Sequence, residues 1–200
     1  MQTINDLPPA TRKRLVQLEE LLKSWSGEKI TSAKICELTG WKDSLVRHDL
    51  WLIGNEARGW KNGYNTADLL ASIQSIKKSE RQNVCIAGLG RLGAALLDDS
   101  FFEDSNFVIK AGFDSNVNRV EILRSTFPLY PAAEMNWVIK QENITLAILT
   151  VSDKDAQTMC DRLVKAGVTG IVNMTRTVLR VPDGVKVENV SVITALKIVN

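Results

Sequence analysis

A glycine-rich run in the middle of the chain carries the clearest chemical signal in the sequence. Residues 84–93 indicate an apolar strand, a tight turn and a helix start, with glycines in the spacing G-x-G-x-x-G. In this pattern Gly88 allows the turn, Gly90 lets the backbone approach a pyrophosphate, and Gly93 lets the helix pack closely on the strand. The free N–H groups and the dipole of the helix then face the phosphates. The run therefore predicts a dinucleotide phosphate site.

An acidic residue follows these glycines at the distance that the motif requires. A second apolar run over 107–113 ends at Asp114, about 20 residues beyond the last glycine. A carboxylate there accepts hydrogen bonds from the adenosine ribose hydroxyls and repels a 2′-phosphate. The sequence therefore predicts NAD(H) as the cofactor, in preference to NADP(H). A strand-turn-helix that binds no ligand is the alternative that the motif leaves open.

The elements that must position these residues alternate between strand and helix. Strands are predicted near 84–88, 107–113, 144–150, 169–173 and 185–189, and helices near 91–99, 116–124, 132–142 and 153–166. This alternation predicts a doubly wound parallel sheet, in which a ligand lies beyond the carboxyl ends of the strands. The predicted cofactor-binding residues are therefore Gly88, Gly90, Arg91, Leu92, Gly93, Asp114, Thr150, Val151, Asn173, Met174 and Thr175.

The first part of the chain has helical patterns instead. Helices are predicted from a cap at Thr11 to about Ser24, from Thr31 or Ser32 to Gly40, from Asp43 or Ser44 to Gly54, and over 67–76 after a cap at Asn65 or Thr66. The third helix is expected to bury Leu45, Val46, Leu50 and Ile53. The second and third helices, joined by a turn with a glycine, predict a helix-turn-helix.

Polar and basic residues cluster on the outer face of that third helix. Ser44, Arg47 and His48 share one face, and such donors suit the base edges and phosphates of a major groove. The segment 55–65, rich in glycine and basic residues, predicts a β-wing. The predicted DNA-binding residues are Arg12, Arg14, Lys42, Ser44, Arg47, His48, Arg58 and Lys61. A solvated face on a structural domain is the alternative.

Composition narrows the class of protein. The chain has 200 residues, 44% hydrophobic and 24% charged, with a formal net charge of +2, as is typical of a soluble globular protein. No apolar run approaches the roughly 20 residues of a membrane span, and no signal-peptide segment begins the chain. The three cysteines are scattered without histidine partners, so we expect buried thiols and no metal site. These features predict a cytoplasmic protein without a membrane partner.

The combination resembles the Rex family of redox-sensing transcriptional repressors over almost the whole chain. The resemblance is carried by residues 7–11, 46–50, 54 and 59–65, and then by 88–93, 113–114, 166–173, 181–182 and 187–190. It implies a winged-helix domain over 1–76, a linker over 77–83, a Rossmann domain over 84–190 and a short C-terminal helix within 191–200, swapped in a homodimer. It also implies palindromic operator DNA, which NADH releases and NAD⁺ permits.

Some positions depart from the family pattern. Arg91 stands where members usually carry Asn, Asp98-Asp99 where they tend to have Tyr, Ser191 where they have Asp, and Thr175-Arg176 where they have Ala-Pro. Arg91 attracts the phosphates that NAD⁺ and NADH share. It therefore favours binding of both forms and shifts no equilibrium between them. Asp99, an anion in place of a phenol, is expected to attract the cationic ring of NAD⁺. The departures predict weaker selectivity for NADH, and weaker NADH-driven release of DNA, than in a typical member.

Other functions stay open on the sequence alone. One is a Rex-like paralogue with an altered nucleotide response, and another is a module that binds CoA or a different nucleotide, since Asp114 suits any free ribose. A small NAD-dependent oxidoreductase needs a general acid or base at the strand ends. The loops there offer Ser152, Lys154 and Arg176 but no persuasive proton donor, so no catalytic residue is assigned.

Overall fold

The computed structural model describes residues 4–54, 63–76, 81–103 and 105–200, and within it the chain separates into two compact units, Met1–Ser79 and Glu80–Asn200. We refer to them as the first and the second unit. Among the described residues, no helix has the length and apolar character that a membrane crossing requires.

In its described part, the first unit contains four α-helices and a short two-stranded ladder. The helices are α1 (Pro9–Ser24), α2 (Ser32–Thr39), α3 (Asp43–Leu52) and α4 (Thr66–Ile76), and the antiparallel strands are β1 (Lys29–Ile30) and β2 (Tyr64–Asn65). Apolar side chains from all of these helices form one core, which includes Leu15, Leu18, Leu22, Ile35, Val46, Leu50, Leu69 and Ile73. The apolar stripe of each helix is therefore buried against the others.

Caps that the sequence predicts set the bounds of α2 and α4. The Thr31 hydroxyl accepts a hydrogen bond from the Lys34 N–H at 3.1 Å, and Gly40 ends α2 with a φ of +72°, which glycine adopts without steric cost. Three residues later α3 begins at Asp43. The Asn65 side chain accepts from the Asp68 N–H at 3.0 Å and caps α4. The helix, turn and helix around Gly40 are confirmed.

The start of α1 differs from its prediction. The helix begins at Pro9, because a proline in the first turn already has a helical φ and lacks the N–H that would stay unsatisfied there. Thr11 is therefore not the cap. It is buried inside α1, and its hydroxyl donates a hydrogen bond to Oδ1 of Asp49 in α3 at 3.0 Å.

In its described part, the second unit is a six-stranded parallel sheet with helices around it. The strands are β3 (Gln82–Ala87), β4 (Phe107–Asp114), β5 (Leu129–Pro131), β6 (Ile144–Leu149), β7 (Gly170–Asn173) and β8 (Lys186–Asn189). The helices are α5 (Arg91–Ala95), α6 (Val117–Ile122), α7 (Met135–Gln141), α8 (Ala156–Ala166) and α9 (Val192–Val199). The spatial order β5-β4-β3-β6-β7-β8 is the strand order of the Rossmann fold, with its switch point between β3 and β6.

Strand register brings the carboxyl ends of the strands level. Ala87 of β3 lies opposite Phe113 of β4 and Leu149 of β6, and Leu149 lies opposite Asn173 of β7. The residues that follow these strands therefore meet along one edge of the sheet. Alternate residues of β3 belong to different apolar clusters, Cys85 on the side of α7 and α8 and Ile86 on the other. Both faces of the sheet are thus covered, as predicted.

Two element boundaries in this unit differ from their predictions, and one strand was not predicted. The sequence predicts one helix over 91–99, whereas α5 ends at Ala95 and a 3-10 turn follows over Asp99–Phe102, capped by the Asp98 side chain, which accepts from the Ser100 N–H at 3.0 Å. Strand β5 was missed because it has only three residues and ends in a proline, which restricts it to a sheet edge. Strand β3 begins at Gln82, inside the predicted linker.

Candidate dinucleotide site and nucleic-acid interface

The glycines between β3 and α5 lie where a side chain would not fit. Gly88 has a φ of +99°, and a Cβ added there would lie 2.8 Å from the backbone nitrogen of Val151. A Cβ on Gly93 would lie 1.8 Å from the carbonyl oxygen of Gly88, so α5 rests directly on the turn. A Cβ on Gly90 would meet no described atom within 4 Å. The turn is therefore tight inside and open at Gly90, where the motif needs a phosphate to approach the backbone.

Thr150 ties this turn to the end of β6. Its hydroxyl donates a hydrogen bond to the carbonyl oxygen of Gly88 at 2.6 Å, and its N–H donates to the carbonyl oxygen of Ala87 at 2.9 Å. Val151, the next residue, is half-buried and packs against the core under α7 and α8. The turn and the loop after β6 are thus held together at the switch point of the sheet.

Asp114 is a buried carboxylate held against the same turn. Its side chain is 5% exposed, Oδ2 accepts from the Leu89 N–H at 2.7 Å, and Oδ1 accepts from the Asn116 N–H at 2.7 Å. Each carboxylate oxygen has two lone pairs, so these bonds leave acceptor capacity for a ribose hydroxyl. Sequence reasoning missed Arg119, whose half-exposed guanidinium lies 3.4 Å from Oδ2. The sequence feature that could have identified Arg119 is a basic residue in the first turn of the helix that follows Asp114.

Two predicted residues form the exposed start of α5. Arg91 and Leu92 are the first residues of the helix, and both are exposed. A cation at a helix N-terminus opposes the helix dipole, so Arg91 costs stability unless an anion lies nearby. This position therefore fits a residue that meets phosphate.

Buried polar groups shape the segment after β7. Asn173 is fully buried, its Oδ1 accepts from the Thr175 hydroxyl at 2.7 Å, and its Nδ2 donates to the carbonyl oxygen of Thr177 and to Oδ1 of Asn189, both at 2.8 Å. The adjacent Met174 is half-buried and its N–H donates to the carbonyl oxygen of Leu149 at 3.0 Å. The side chain of Asn173 therefore holds the loop, with Met174 beside the end of β6 and the Thr175 side chain buried.

An ion pair joins the loops after β6 and β7. Nε and Nη2 of Arg176 lie 2.8 and 2.6 Å from Oδ2 of Asp153, and the Arg176 N–H donates to Oδ1 at 2.9 Å. The backbone N–H and then the guanidinium hold the pKa of Asp153 below its usual value. The sequence singled out Arg176 but not its partner, because 23 residues separate them and only the sheet brings them together.

The outer face of α3 carries the predicted DNA-binding residues. Lys42, Ser44, Arg47 and His48 are exposed, whereas Val46, Asp49 and Leu50 are buried. Nε of Arg47 pairs with Oδ2 of Asp43 at 2.7 Å, and the His48 ring lies 6.0 Å from the Trp51 ring. The prediction that Leu45 points inward is wrong. It is 40% exposed, because the buried stripe runs through the residues at i+1, i+4 and i+5 from it.

Arg14, predicted to touch the DNA backbone, lies in an interior network. Its Nε and Nη2 lie 2.5 and 2.8 Å from the two carboxylate oxygens of Asp49, and Nη2 also donates to the Thr11 hydroxyl at 3.3 Å. Asp49 is 3% exposed and therefore needs a paired cation. The sequence feature that could have identified this pair is Asp49, an acidic residue on the buried face of the third helix. Arg12 is half-buried, and Arg58 and Lys61 lie outside the described residues.

Comparison with known proteins covers both units of the chain. A family model described as a CoA binding domain matches residues 79–177. The chain is similar to the redox-sensing transcriptional repressor Rex of Limosilactobacillus reuteri (strain DSM 20016), with 33% identity over 196 residues, which are 96% of this chain and 91% of that protein.

Solved structures of RSP, a Rex-family repressor, are also similar. RSP in complex with beta-NADH matches with a TM-score of 0.85 and 29% identity, over 96% of this chain and 92% of that chain. RSP in complex with beta-NAD⁺ and operator DNA matches with a TM-score of 0.83 and 28% identity, over 96% of this chain and 90% of that chain.

Proposed function

The chain belongs to the Rex family of redox-sensing transcriptional repressors, and from this premise we propose that it represses transcription by binding operator DNA with its first unit while its second unit senses NADH and NAD⁺. The observation that carries the proposal is the turn at Gly88–Gly93, open at Gly90 and anchored to the buried Asp114, in a chain that is similar to Rex repressors over both units. The family consists of regulators, so the oxidoreductase alternative is set aside.

The residues around this turn fit a dinucleotide. We assign the pyrophosphate to the backbone at Gly88, Gly90 and Gly93 with the side chain of Arg91, and the adenosine ribose to Asp114. Leu92, Thr150, Val151, Met174 and Thr175 line the rest of the crevice, and Asn173 acts through the loop that it holds. When bound, the nucleotide supplies the signal, because its nicotinamide ring is cationic in NAD⁺ and neutral in NADH.

For DNA, we propose that α3 acts as the recognition helix of a winged helix-turn-helix. Lys42, Ser44, Arg47 and His48 on its exposed face would contact base edges and phosphates. Arg12, Arg58 and Lys61 would contact the sugar-phosphate backbone or an adjacent minor groove. Arg14 is assigned a structural role instead, since its guanidinium is occupied by Asp49.

The second unit also supports the proposal of a homodimer. Helix α9 exposes large apolar side chains on several sides, namely Val192, Ile193, Leu196, Ile198 and Val199. An isolated eight-residue helix of this kind gains little stability in water and needs an apolar surface to cover it. A second copy of the chain is the cover we propose, and a two-fold dimer matches a palindromic operator. Ser191 caps this helix, since its hydroxyl accepts from the Thr194 N–H at 3.2 Å.

The response to the nucleotide follows from linkage. A dinucleotide that binds more tightly to the dimer geometry unable to bind DNA weakens DNA binding by the ratio of its affinities for the two geometries. Residues that contact both redox forms equally cannot contribute to this ratio. The weakened response that the departures predict is kept as part of the proposal.

Two measurements test the proposed function. Isothermal titration calorimetry with NAD⁺, NADH and NADPH is expected to give binding of the first two. Selection of duplexes from random-sequence DNA is expected to yield a palindrome, bound with an affinity that falls steeply with salt because counterions are released. Failure to enrich any sequence, or the absence of nucleotide binding by folded protein, would contradict the proposal.

A further inference from the structure

The loops joined by Asp153 and Arg176 lie at the half of the crevice farther from the adenosine site. Asp114 ends β4, on one side of β3, whereas β6 and β7 lie on the other side of β3. In a Rossmann fold the two halves of a dinucleotide bind on either side of this switch point. With the adenosine ribose at Asp114, the nicotinamide half falls over the ends of β6 and β7. The ion pair stands at these ends.

We propose that Asp153 and Arg176 form a charge-neutral clasp that keeps either charge from biasing this site between NAD⁺ and NADH. The proposal deepens the proposed function and rests on it. The clasp contains one full positive and one full negative charge beside the nicotinamide ring. The charge of this ring is the only difference in charge between NAD⁺ and NADH. While both members are present their effects on the ring largely cancel, and removing one member leaves the other to act alone.

The contacts of the clasp keep both groups charged and in place. Arg176 donates to Asp153 from its backbone N–H as well as from its guanidinium, and the hydroxyl of Thr177 donates to the Asp153 carbonyl oxygen at 2.9 Å. The two side chains are 81% and 39% exposed, so they do not form part of the core. An exposed pair of this kind contributes little to stability, and its charges are free to act on a ligand.

A second link holds the same loop without any charge. The Arg180 N–H donates to the side-chain oxygen of Gln157 in α8 at 2.9 Å, and the Gln157 amide donates back to the Arg180 carbonyl oxygen at 2.8 Å. This link survives when the ion pair is removed. Substitutions at Asp153 or Arg176 should therefore change the local charge much more than the path of the loop.

Opposite effects of the two single substitutions distinguish charge from shape. In D153N the unpaired guanidinium of Arg176 repels the cationic ring, so NAD⁺ binding weakens relative to NADH. In R176Q the unpaired carboxylate of Asp153 attracts the ring, so NAD⁺ binding strengthens relative to NADH. Each shift in the ratio of dissociation constants is expected to be about threefold to tenfold at low salt and smaller at high salt. The double variant should return close to the ratio of the unaltered protein.

The experiment is calorimetric titration of the full-length protein and its variants with NAD⁺ and with NADH at two salt concentrations. T177V removes an uncharged hydroxyl from the same loop, and R176K keeps the charge while losing the planar guanidinium; both should leave the ratio unchanged. K165Q removes one positive charge from the far end of α8, where it should not affect the ring. Circular dichroism verifies that every variant is folded.

Opposite shifts in D153N and R176Q, with neither shift in the three control variants, support the clasp. A shift in the same direction in both variants, an unchanged ratio, or an equal shift in T177V would overturn it. If the unaltered protein binds neither nucleotide, the proposed function fails as well. If it binds both and only the variants disagree with expectation, the clasp alone fails.

Discussion

Two buried carboxylates, one in each unit, differ in what satisfies them. Asp49 in the first unit is 3% exposed and meets side-chain donors, the guanidinium of Arg14 and the hydroxyl of Thr11. Asp114 in the second unit is 4% exposed and meets mainly backbone N–H groups, with Arg119 farther away at 3.4 Å. Each carboxylate accepts three hydrogen bonds, but those at Asp49 join two helices, whereas those at Asp114 hold it beside the glycine turn, where we propose that a ribose binds. Burial alone does not separate the two roles.

The largest expected effect comes from breaking the first of these sites. Replacing Arg14 by Met leaves the Asp49 charge buried without its cation, and we expect the free energy of unfolding to fall by about 3–5 kcal/mol. Urea unfolding measures this loss. K34A, which breaks the exposed Lys34–Glu37 pair on α2, is the matched control and should cost about 1 kcal/mol or less. Similar costs for both variants would show that Arg14 is not a structural residue.

A substitution in the turn that holds Asp114 should lower ligand affinity and leave stability unchanged, which is the opposite of the effect expected at Arg14. In G90A the new methyl group meets no described atom, so the fold should be retained while the methyl group blocks the approach of a phosphate. Loss of charge-assisted hydrogen bonds to phosphate should lower the affinity for NAD(H) by about tenfold to a hundredfold. Calorimetry measures the affinity and thermal unfolding the stability. Unchanged affinity would move the pyrophosphate away from this turn.

Arg47 provides the corresponding test on the exposed face of α3. We expect R47A to cost about 1–3 kcal/mol in specific DNA binding if this guanidinium contacts a base. Fluorescence anisotropy with the selected palindrome measures the change, and calorimetry should give the same NAD(H) affinity as before. K34A, on the neighbouring α2, is the matched loss of one positive charge. Equal losses in both variants would indicate a general charge effect instead of a base contact.

These side-chain roles show what could and could not be predicted from the sequence. Local signals predicted five of the six strands of the second unit, the two helices around Gly40 and the glycine turn, because apolar periodicity and glycine spacing act within a few residues. The Arg14–Asp49 and Asp153–Arg176 pairs were not predicted, because 35 and 23 residues separate their members. Prediction also failed at Thr11 and Leu45, where a proline and a shift of one residue in helix phase outweighed the local pattern.

A smaller effect is expected for the choice between NADH and NADPH. Asp114 should make NADH the preferred ligand, and D114N, which removes the negative charge beside Arg119, should raise the affinity for NADPH relative to NADH by about tenfold. Calorimetry with both ligands measures this ratio. Equal or tighter binding of NADPH by the unaltered protein would show that Arg119 outweighs Asp114.

The smallest expected effect is a constant ratio of NAD⁺ to NADH affinity across about pH 6 to 8. Hydrogen bonds from Arg176 lower the pKa of Asp153, and a carboxyl with a lowered pKa stays ionised throughout this range. The net charge of the clasp is therefore constant at zero there, and would become positive only as the pH falls through the lowered pKa. Calorimetry at three pH values measures the ratio, and a systematic trend would show that a different titrating group acts on the ring.

The central claim is that nucleotide binding in one unit changes DNA binding by the other. Fluorescence anisotropy with the selected palindrome, at one salt concentration and with no nucleotide, saturating NAD⁺ or saturating NADH, tests it most directly. The account predicts weaker DNA binding with NADH than with NAD⁺, by a factor short of complete release. Identical affinities under all three conditions, in protein shown by calorimetry to bind both nucleotides, would contradict it.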